Sequence, residues 1–434
     1  MRVSNTEVRE IPFEELRERV ALNFDKLTTD PYYSKDEVFS PSDYDWYGDK
    51  EGRALLAFVC HYKINGSRIP CMDWLIDKLH SHLNDKGYMG EDFGNIIHEQ
   101  QLSGHSWLLR GLCEYYEQFG DDSVLSIINR IVDNLYLPLL NRIATYPIER
   151  NPAQGGGVSG SSTDTQSEWI LSSDIGCAFM SIDGLSHVYK LTRDERVKNL
   201  IDEMSVFYLG IDKIAIKAQT HCTLTAARGM MRMYECTFED KYLDGAKTIY
   251  DLYVNGGGMT YTYHNLNWWG RPDSWSEPCA IVDSLILALE LYKKTDEPSY
   301  RTVASRVYHN AFSAMQRSNG GAGTEELVCE GSGKESLKIQ LYEAFFCCSM
   351  RLAEGLWYVS ENRDHLYAEL NGCITKDANG VYSDGDIIYC TAEERFLRYA
   401  DDVVTLDNLK LFPIIKMWKV PFGIDKEIEM KIIF

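Results

Sequence analysis

The chain is poor in basic charge: 44 Lys and Arg stand against 65 Asp and Glu, for a net charge of −21. No Lys/Arg cluster stands out from that excess, which argues against binding a phosphate backbone and against attraction to an anionic membrane surface. No apolar run approaches the roughly 18 residues of a membrane span. The opening Met1-Arg2-Val3-Ser4-Asn5-Thr6-Glu7 carries no apolar signal core. C-x-x-C spacing is missing around Cys279 and the Cys347-Cys348 pair, and no short loop-rich framework accompanies the 12 cysteines, so a disulfide scaffold is excluded and most thiols are expected to be reduced. We therefore expect a soluble cytoplasmic protein with no nucleic-acid or membrane partner.

What is present is the ordinary globular balance, 44% hydrophobic and 25% charged over 434 residues, long enough for one large barrel or two to three domains. Aromatic residues are plentiful, with 27 Tyr and 9 Trp. Rings with a polar handle line sugar sites, and they equally fill the cores of large helical proteins.

A helical phrase recurs: Gly111-Leu112 to Tyr116, Gly184-Leu185 to Tyr189, Gly229-Met230 to Tyr234 and Ala288-Leu289 to Tyr292. Each is followed by a short polar turn and a second amphipathic helix, expected over 124–135, 197–207, 242–253 and 300–312 from apolar residues at i, i+3, i+4 spacing. The aligned tyrosines stand 73, 45 and 58 residues apart, too irregular for an open solenoid but suited to helical hairpins with loop insertions. With helices near 53–63, 72–83 and 340–359, about six hairpins result, enough to close a mainly α (α/α)6 toroid. The Gly/Ser/Thr tract from Gly155 to Thr165 reads as a loop. From 363 to 434 short β-prone runs alternate with turn residues, among them His365 to Leu370, Gly380 to Tyr382, Asp386 to Tyr389 and Glu427 to Lys431. This divides the chain into a helical barrel, 1–362, and a β-rich segment that stops at Phe434 in mid-strand.

Two segments carry the chemistry. Glu277-Pro278-Cys279 and Cys347-Cys348 offer one carboxylate and three thiols, a donor set a tetrahedral zinc accepts, and bound metal deprotonates a coordinating thiol. The competing reading is that these cysteines are small buried hydrophobes on apolar helix faces. His98-Glu99, Gly104-His105 and Thr220-His221-Cys222 place histidines at the heads of two helices, where they serve either a shared cavity or the local structure.

The segment His98-Glu99-Gln100-Gln101-Leu102-Ser103-Gly104-His105, the Glu277-Pro278-Cys279-Ala280 segment and Cys347-Cys348 ahead of Leu366-Tyr367 resemble, in order and spacing, glycoside hydrolase family 127, the β-L-arabinofuranosidases. The resemblance spans about residues 45–375. It implies an (α/α)6 barrel followed by β-sandwich material, and a zinc held by Glu277, Cys279, Cys347 and Cys348, with Cys347 the nucleophile of a retaining mechanism. His98, His105 and His221 would then bind the hydroxyls of a small carbohydrate, as would Tyr261 and His264. Two departures stand out. The family's acid/base glutamate is expected in the segment Gly256 to His264, where this chain has Tyr261. Phe345-Phe346 replaces a further family cysteine. Glu325, Glu326, His264 and Asp273 are the candidates for the acid, with Glu325 and Glu326 leading. The expected activity is hydrolysis of a β-L-arabinofuranoside or similar furanoside. The alternatives are a metal-independent sugar epimerase or uronyl hydrolase, and a lapsed barrel that binds carbohydrate. A possible homodimer is the remaining partner considered.

Overall fold

The computed structural model describes residues 2–3, 7–10, 13–40, 46–150, 160–260, 263–326 and 342–370, and short strands between 374 and 419. The chain divides into two units, residues 27–252 with 268–270, and residues 1–26 with 253–267 and 271–434.

The first helix, α1 (Phe13–Thr29), opens the helical part. The unit built around residues 27–252 strings together α2 (Asp49–Asn65), α3 (Pro70–Leu79), α4 (Glu99–Phe119), α5 (Asp122–Ile131), α6 (Ser181–Thr192), α7 (Glu195–Gly210), α8 (Thr220–Thr237) and α9 (Asp240–Asn255), the last turn of α9 passing into the other unit. These are the expected hairpins, and their sequence explains them. Asp121 and Asp194 cap the second helix of a hairpin by accepting from the backbone N–H of Ser123 and Arg196, as N-cap aspartates do. The tyrosine of each recurrent phrase marks the end of the first helix. Its carbonyl accepts the N–H of a left-handed residue four positions on: Gly120 to Tyr116, Arg193 to Tyr189 and Phe238 to Tyr234.

The glycine of the phrase has a separate task. A Cβ on Gly184 would come within 2.7 Å of the Ser106 carbonyl and one on Gly229 within 2.6 Å of the Ile182 carbonyl, and Gly52, outside the phrase, is as close to α4, its Cβ falling 2.3 Å from the Trp107 carbonyl. The long helices α2, α4, α6 and α8 thus lie backbone to backbone. They run parallel, because Gly52 meets residues 107–108 while Gly111 meets Gly52 and Leu55 farther along. A three-stranded sheet, ordered Ile97–His98, Trp169–Ser172, Ser162–Gln166, precedes α4 and carries the end of the Gly/Ser/Thr tract.

In the other unit α10 (Pro278–Thr295), α11 (Pro298–Arg306), the single turn α12 (Ser313–Met315) and α13 (Cys348–Glu361) continue the pattern, with Asp296 donating to the Tyr292 carbonyl. Helices α10 and α13 are parallel with a constant offset. Cys279 meets Cys348, Asp283 pairs with Arg351, Glu290 accepts from the Tyr358 hydroxyl and Lys293 donates to Asn362. The expected helix from 340 starts only at Cys348. Tyr342–Glu343 is a strand instead, because its backbone pairs with Gly323–Glu326, and Cys347 takes the non-helical N-cap conformation.

The β-prone tail forms strands at Tyr367–Leu370, Ile374–Lys376, Val381–Asp384 and Ile387–Cys390. The start of the chain joins them: Glu7–Glu10 pairs antiparallel with Tyr367–Leu370, and Arg2–Val3 with Ile374–Lys376. The strand expected over Glu427 to Lys431 lies outside the described residues. No closed barrel of strands occurs among the described residues, and no helix there is long and apolar enough to cross a membrane.

Candidate active site and metal centre

A small sheet brings the two chemistry-bearing segments together. Its strand order is Trp275–Ser276, Gly323–Glu326, Tyr342–Glu343. The first outer strand runs into Glu277 and the start of α10. The other runs through the turn Ala344–Cys347 into α13. Pro278 occupies the first turn of α10, where its missing N–H costs nothing. The Asn265 side chain accepts the Glu277 N–H at 2.9 Å and fixes that residue as the N-cap.

The result is the expected donor set in one place. One donor atom each from Glu277, Cys279, Cys347 and Cys348 lies within 4.8 Å of every other. The Cys348 sulfur is 3.3 Å from the sulfurs of both Cys279 and Cys347, and none of the three is in a disulfide. A tetrahedral zinc with sulfur at about 2.3 Å needs donors about 3.8 Å apart, so small side-chain adjustments suffice and the set fits a soft divalent ion. The electrostatics agree. Burial pushes the Cys348 thiol well above its ordinary range, and the neighbouring Cys279 and Cys347 push it further. A cation among three such groups relieves both the burial and the crowding of the thiols. The positive ends of α10 and α13 also meet here, which favours anionic donors. Beneath the cluster the fully buried Arg351 pairs with Asp283 and Glu354, tying α13 to α10 one turn below the sulfurs.

Among the acid candidates, Glu325 and Glu326 stand on the middle strand of the sheet, opposite Ser276 and Trp275, and their side chains lie outside the described residues. His264 is buried in a loop closed by the Thr260 N–H on its carbonyl, one residue from the Asn265 that holds Glu277. Asp273 is exposed and occupied by Arg271 at 2.7 Å. Tyr261 lies outside the described residues.

The remaining histidines belong to the other unit. His98 is the N-cap of α4, its Nδ1 accepting from the Gln101 N–H. His221, in the first turn of α8, stacks on Trp107 with ring centroids 5.8 Å apart. His105 was expected to bind sugar, but both its ring nitrogens are taken by backbone: Nδ1 by the Gln101 carbonyl at 2.8 Å and Nε2 by the Met89 N–H at 2.9 Å. Burial holds it neutral, its pKa down at about 4. It pins the loop before α4 and has no ring nitrogen left for a hydroxyl.

Two features had no sequence signal. Glu51, buried in the first turn of α2, is pushed up to about 7 by burial. A second acidic group, Glu114 and Glu117 with His187, has metal-like spacing, but Lys63, Arg110 and Lys190 already sit on those carboxylates, so cations of the chain itself fill the place of an ion.

Residues 103–361 match the catalytic domain of the GH127 β-L-arabinofuranosidases. The chain belongs to that family. This GH127 protein is a glycoside hydrolase by membership, with a carbohydrate as its substrate. Its structure resembles that of a GH127 β-arabinofuranosidase at 13% identity, with 95% of this chain and 78% of the other covered and a TM-score of 0.53. A GH127 β-L-arabinofuranosidase from Geobacillus stearothermophilus T6 gives 13% identity, 96% and 80% coverage and a TM-score of 0.51. An unsaturated glucuronyl hydrolase specific for heparin gives 12%, 81%, 99% and 0.55. At such identities the likeness shows the fold alone, the (α/α)6 toroid of these glycosidases. No curated protein matches the chain.

Proposed function

We propose that this glycoside hydrolase is a zinc-dependent retaining furanosidase, acting on β-L-arabinofuranosides or close analogues, with Cys347 as nucleophile. The observation that carries the reading is the gathering of Glu277, Cys279, Cys347 and Cys348 at two adjoining helix N-termini in a chain of this family.

Glu277, Cys279, Cys347 and Cys348 would hold the metal. Zinc bound there lowers the proton affinity of the thiols, which helps Cys347 to ionise and later to leave. Cys347 is half-buried while Cys279 and Cys348 are fully buried, so Cys347 is the sulfur that meets substrate. Its thiolate attacks the anomeric carbon, the glycosidic C–O bond breaks, and a thioglycoside forms. An acid protonates the departing oxygen, then as base takes a proton from the water that displaces the sulfur with net retention. We assign that acid to Glu325 or Glu326 on the strand between the two ligand-bearing segments, and a hydroxyl-binding role to His264 and Tyr261.

The test is turnover of 4-nitrophenyl β-L-arabinofuranoside by zinc-loaded protein. Cys347→Ala should lower kcat by at least about a thousandfold, as loss of a nucleophile does. A furanose-type cysteine-reactive inhibitor should add one sugar mass to the peptide carrying Cys347. Activity above about a hundredth of wild type in the alanine variant, or a label on another cysteine, would move the assignment to a metal-independent epimerase or uronyl hydrolase.

A further inference from the structure

The turn that delivers Cys347 also delivers two phenylalanines. It is pinned at its start by the Ala344 N–H on the Ala322 carbonyl at 3.0 Å, and at its end by the Cys347 and Ser349 N–H groups, both on the Ala344 carbonyl. Phe345 and Phe346 are therefore held by a fixed backbone immediately before the nucleophile. Tyr342, on the strand leading in, joins them: its ring and that of Phe346 are 6.5 Å apart and tilted by 21°, and Phe345 meets Phe346 edge-on at 5.6 Å.

These rings are not core. Phe345 and Tyr342 are each 42% exposed, two of only eight large hydrophobic side chains so exposed among the described residues. Exposed aromatic surface beside a reactive group marks a place that something covers. The cluster also stands next to the donors, since Phe345 and Phe346 directly precede Cys347 in the turn. Its neighbour Glu343 is already committed to Lys26 and Asn319. Two phenylalanines and one tyrosine give an aromatic surface whose one polar group is the Tyr342 hydroxyl, far fewer hydrogen-bonding groups than the hydroxyls of a second sugar call for.

Building on the retaining furanosidase reading, we infer that Tyr342, Phe345 and Phe346 form the leaving-group subsite, and that the group they take is a flat aromatic aglycone. The direction follows from burial. On one side of Cys347 lie the fully buried Cys279 and Cys348, which leaves the part of the substrate outside the sugar to lie toward solvent, where the aromatic surface is. With the sulfur about 3 Å from the anomeric carbon at attack, the oxygen beyond that carbon and a ring attached to it come within reach of a phenylalanine side chain.

The test compares benzyl with ethyl β-L-arabinofuranoside on the zinc-loaded full chain. Both leaving groups are alcohols of similar proton demand, so the ratio of their kcat/KM values reports the ring contact rather than leaving-group acidity. Wild type should favour the benzyl glycoside, and Phe345→Ala and Tyr342→Ala should each lower that ratio about three- to tenfold, the range expected for one aromatic contact. Phe345→Tyr should restore it. A wild-type ratio near one, or a ratio that neither alanine variant changes, overturns the proposal, as does a stronger and equally Phe345-dependent preference for a second arabinose as leaving group. If neither glycoside turns over, the furanosidase reading is what has failed. Calorimetric binding of S-benzyl 1-thio-β-L-arabinofuranoside then decides on the aromatic surface: a Phe345-dependent affinity supports it, and equal binding by wild type and Phe345→Ala overturns it.

Discussion

Replacing Asp183 by asparagine should cost this protein more stability than any conservative surface change. Asp183 is fully buried in α6, with the Arg110 Nε at 3.0 Å from one carboxylate oxygen and the Arg232 Nη1 at 2.5 Å from the other. Arg110 belongs to α4 and Arg232 to α8, so one carboxylate neutralises cations from both neighbouring helices. Burial works against its charge, but Arg232, Arg110 and Arg228 overcome that and hold its carboxyl well below the ordinary range. The amide keeps the shape but removes the charge that Arg232 faces and leaves Arg110 with Glu114 alone. Breaking a buried pair in this way costs about 3–5 kcal/mol. At about 2–4 °C per kcal/mol for a unit of this size, the melting temperature at pH 7 should fall by about 10 °C. The pH dependence is a second readout. A carboxyl with a depressed folded-state pKa stabilises above its unfolded value of about 3.9 and loses that contribution as pH falls from there toward the folded value. The gap between wild type and Asp183→Asn should therefore be full at pH 7 and shrink below about pH 4. A variant melting within about 2 °C of wild type at pH 7, by calorimetry or circular dichroism, would refute the reasoning.

Three further outcomes are expected. Metal analysis of reduced, chelator-free protein should find about one zinc per chain, and Cys279→Ser should lose most of it, because a three-donor site binds far more weakly than the full tetrahedral set. Glu51→Gln should stabilise the protein at pH 8 by about 2–3 kcal/mol and much less at pH 4.5, since a carboxyl raised to about 7 contributes stability below its unfolded value and loses it as pH rises through 7; equal melting shifts at the two pH values would contradict this. Gly52→Ala should destabilise by about 2–3 kcal/mol in urea unfolding, because its Cβ would sit 2.3 Å from the Trp107 backbone with no flexible neighbour to yield.

The hairpins were legible in the sequence because each repeats one local grammar. The phrase from glycine to tyrosine holds both the close-approach residue and a carbonyl that closes the helix end, and in two of the hairpins the polar turn supplies the aspartate, Asp121 or Asp194, that caps the next helix. Where the pattern misled, a non-local contact had intervened. The apolar run at Phe345-Phe346 continues the period of α13 backward, yet pairing of Tyr342 with Thr324 draws the chain into a sheet. Helix α1 passed unnoticed because its inward face carries Arg19 and Asn23, which bond to Ser313, Gly320 and Ser349 nearly 300 or more positions away. The pairing of Glu7–Glu10 with Tyr367–Leu370 is equally invisible to any local window. At the site, donor chemistry and the family resemblance named all four cluster residues, whereas spacing alone did not. His105 shows the limit of residue type as a guide: only the positions of the Met89 and Gln101 backbone reveal that its nitrogens are taken.

The two kinds of connection between helices differ in length, and this gives each hairpin a tolerant connection and an intolerant one. Passing from the first to the second helix of a hairpin takes two residues in four cases, Gly120-Asp121, Arg193-Asp194, Phe238-Glu239 and Asp296-Glu297, and each pair combines a left-handed stop with the residue that begins the next helix. An insertion there displaces the left-handed residue whose N–H closes the first helix on its tyrosine carbonyl. The return connections, such as 211–219 and 256–277, are long and irregular, and they lead into the helix starts where His221, Glu277 and Cys279 sit. An engineer wishing to change what this scaffold recognises has the return loops to rewrite. Loop grafts into the returns should fold, whereas the same grafts into the two-residue turns should not.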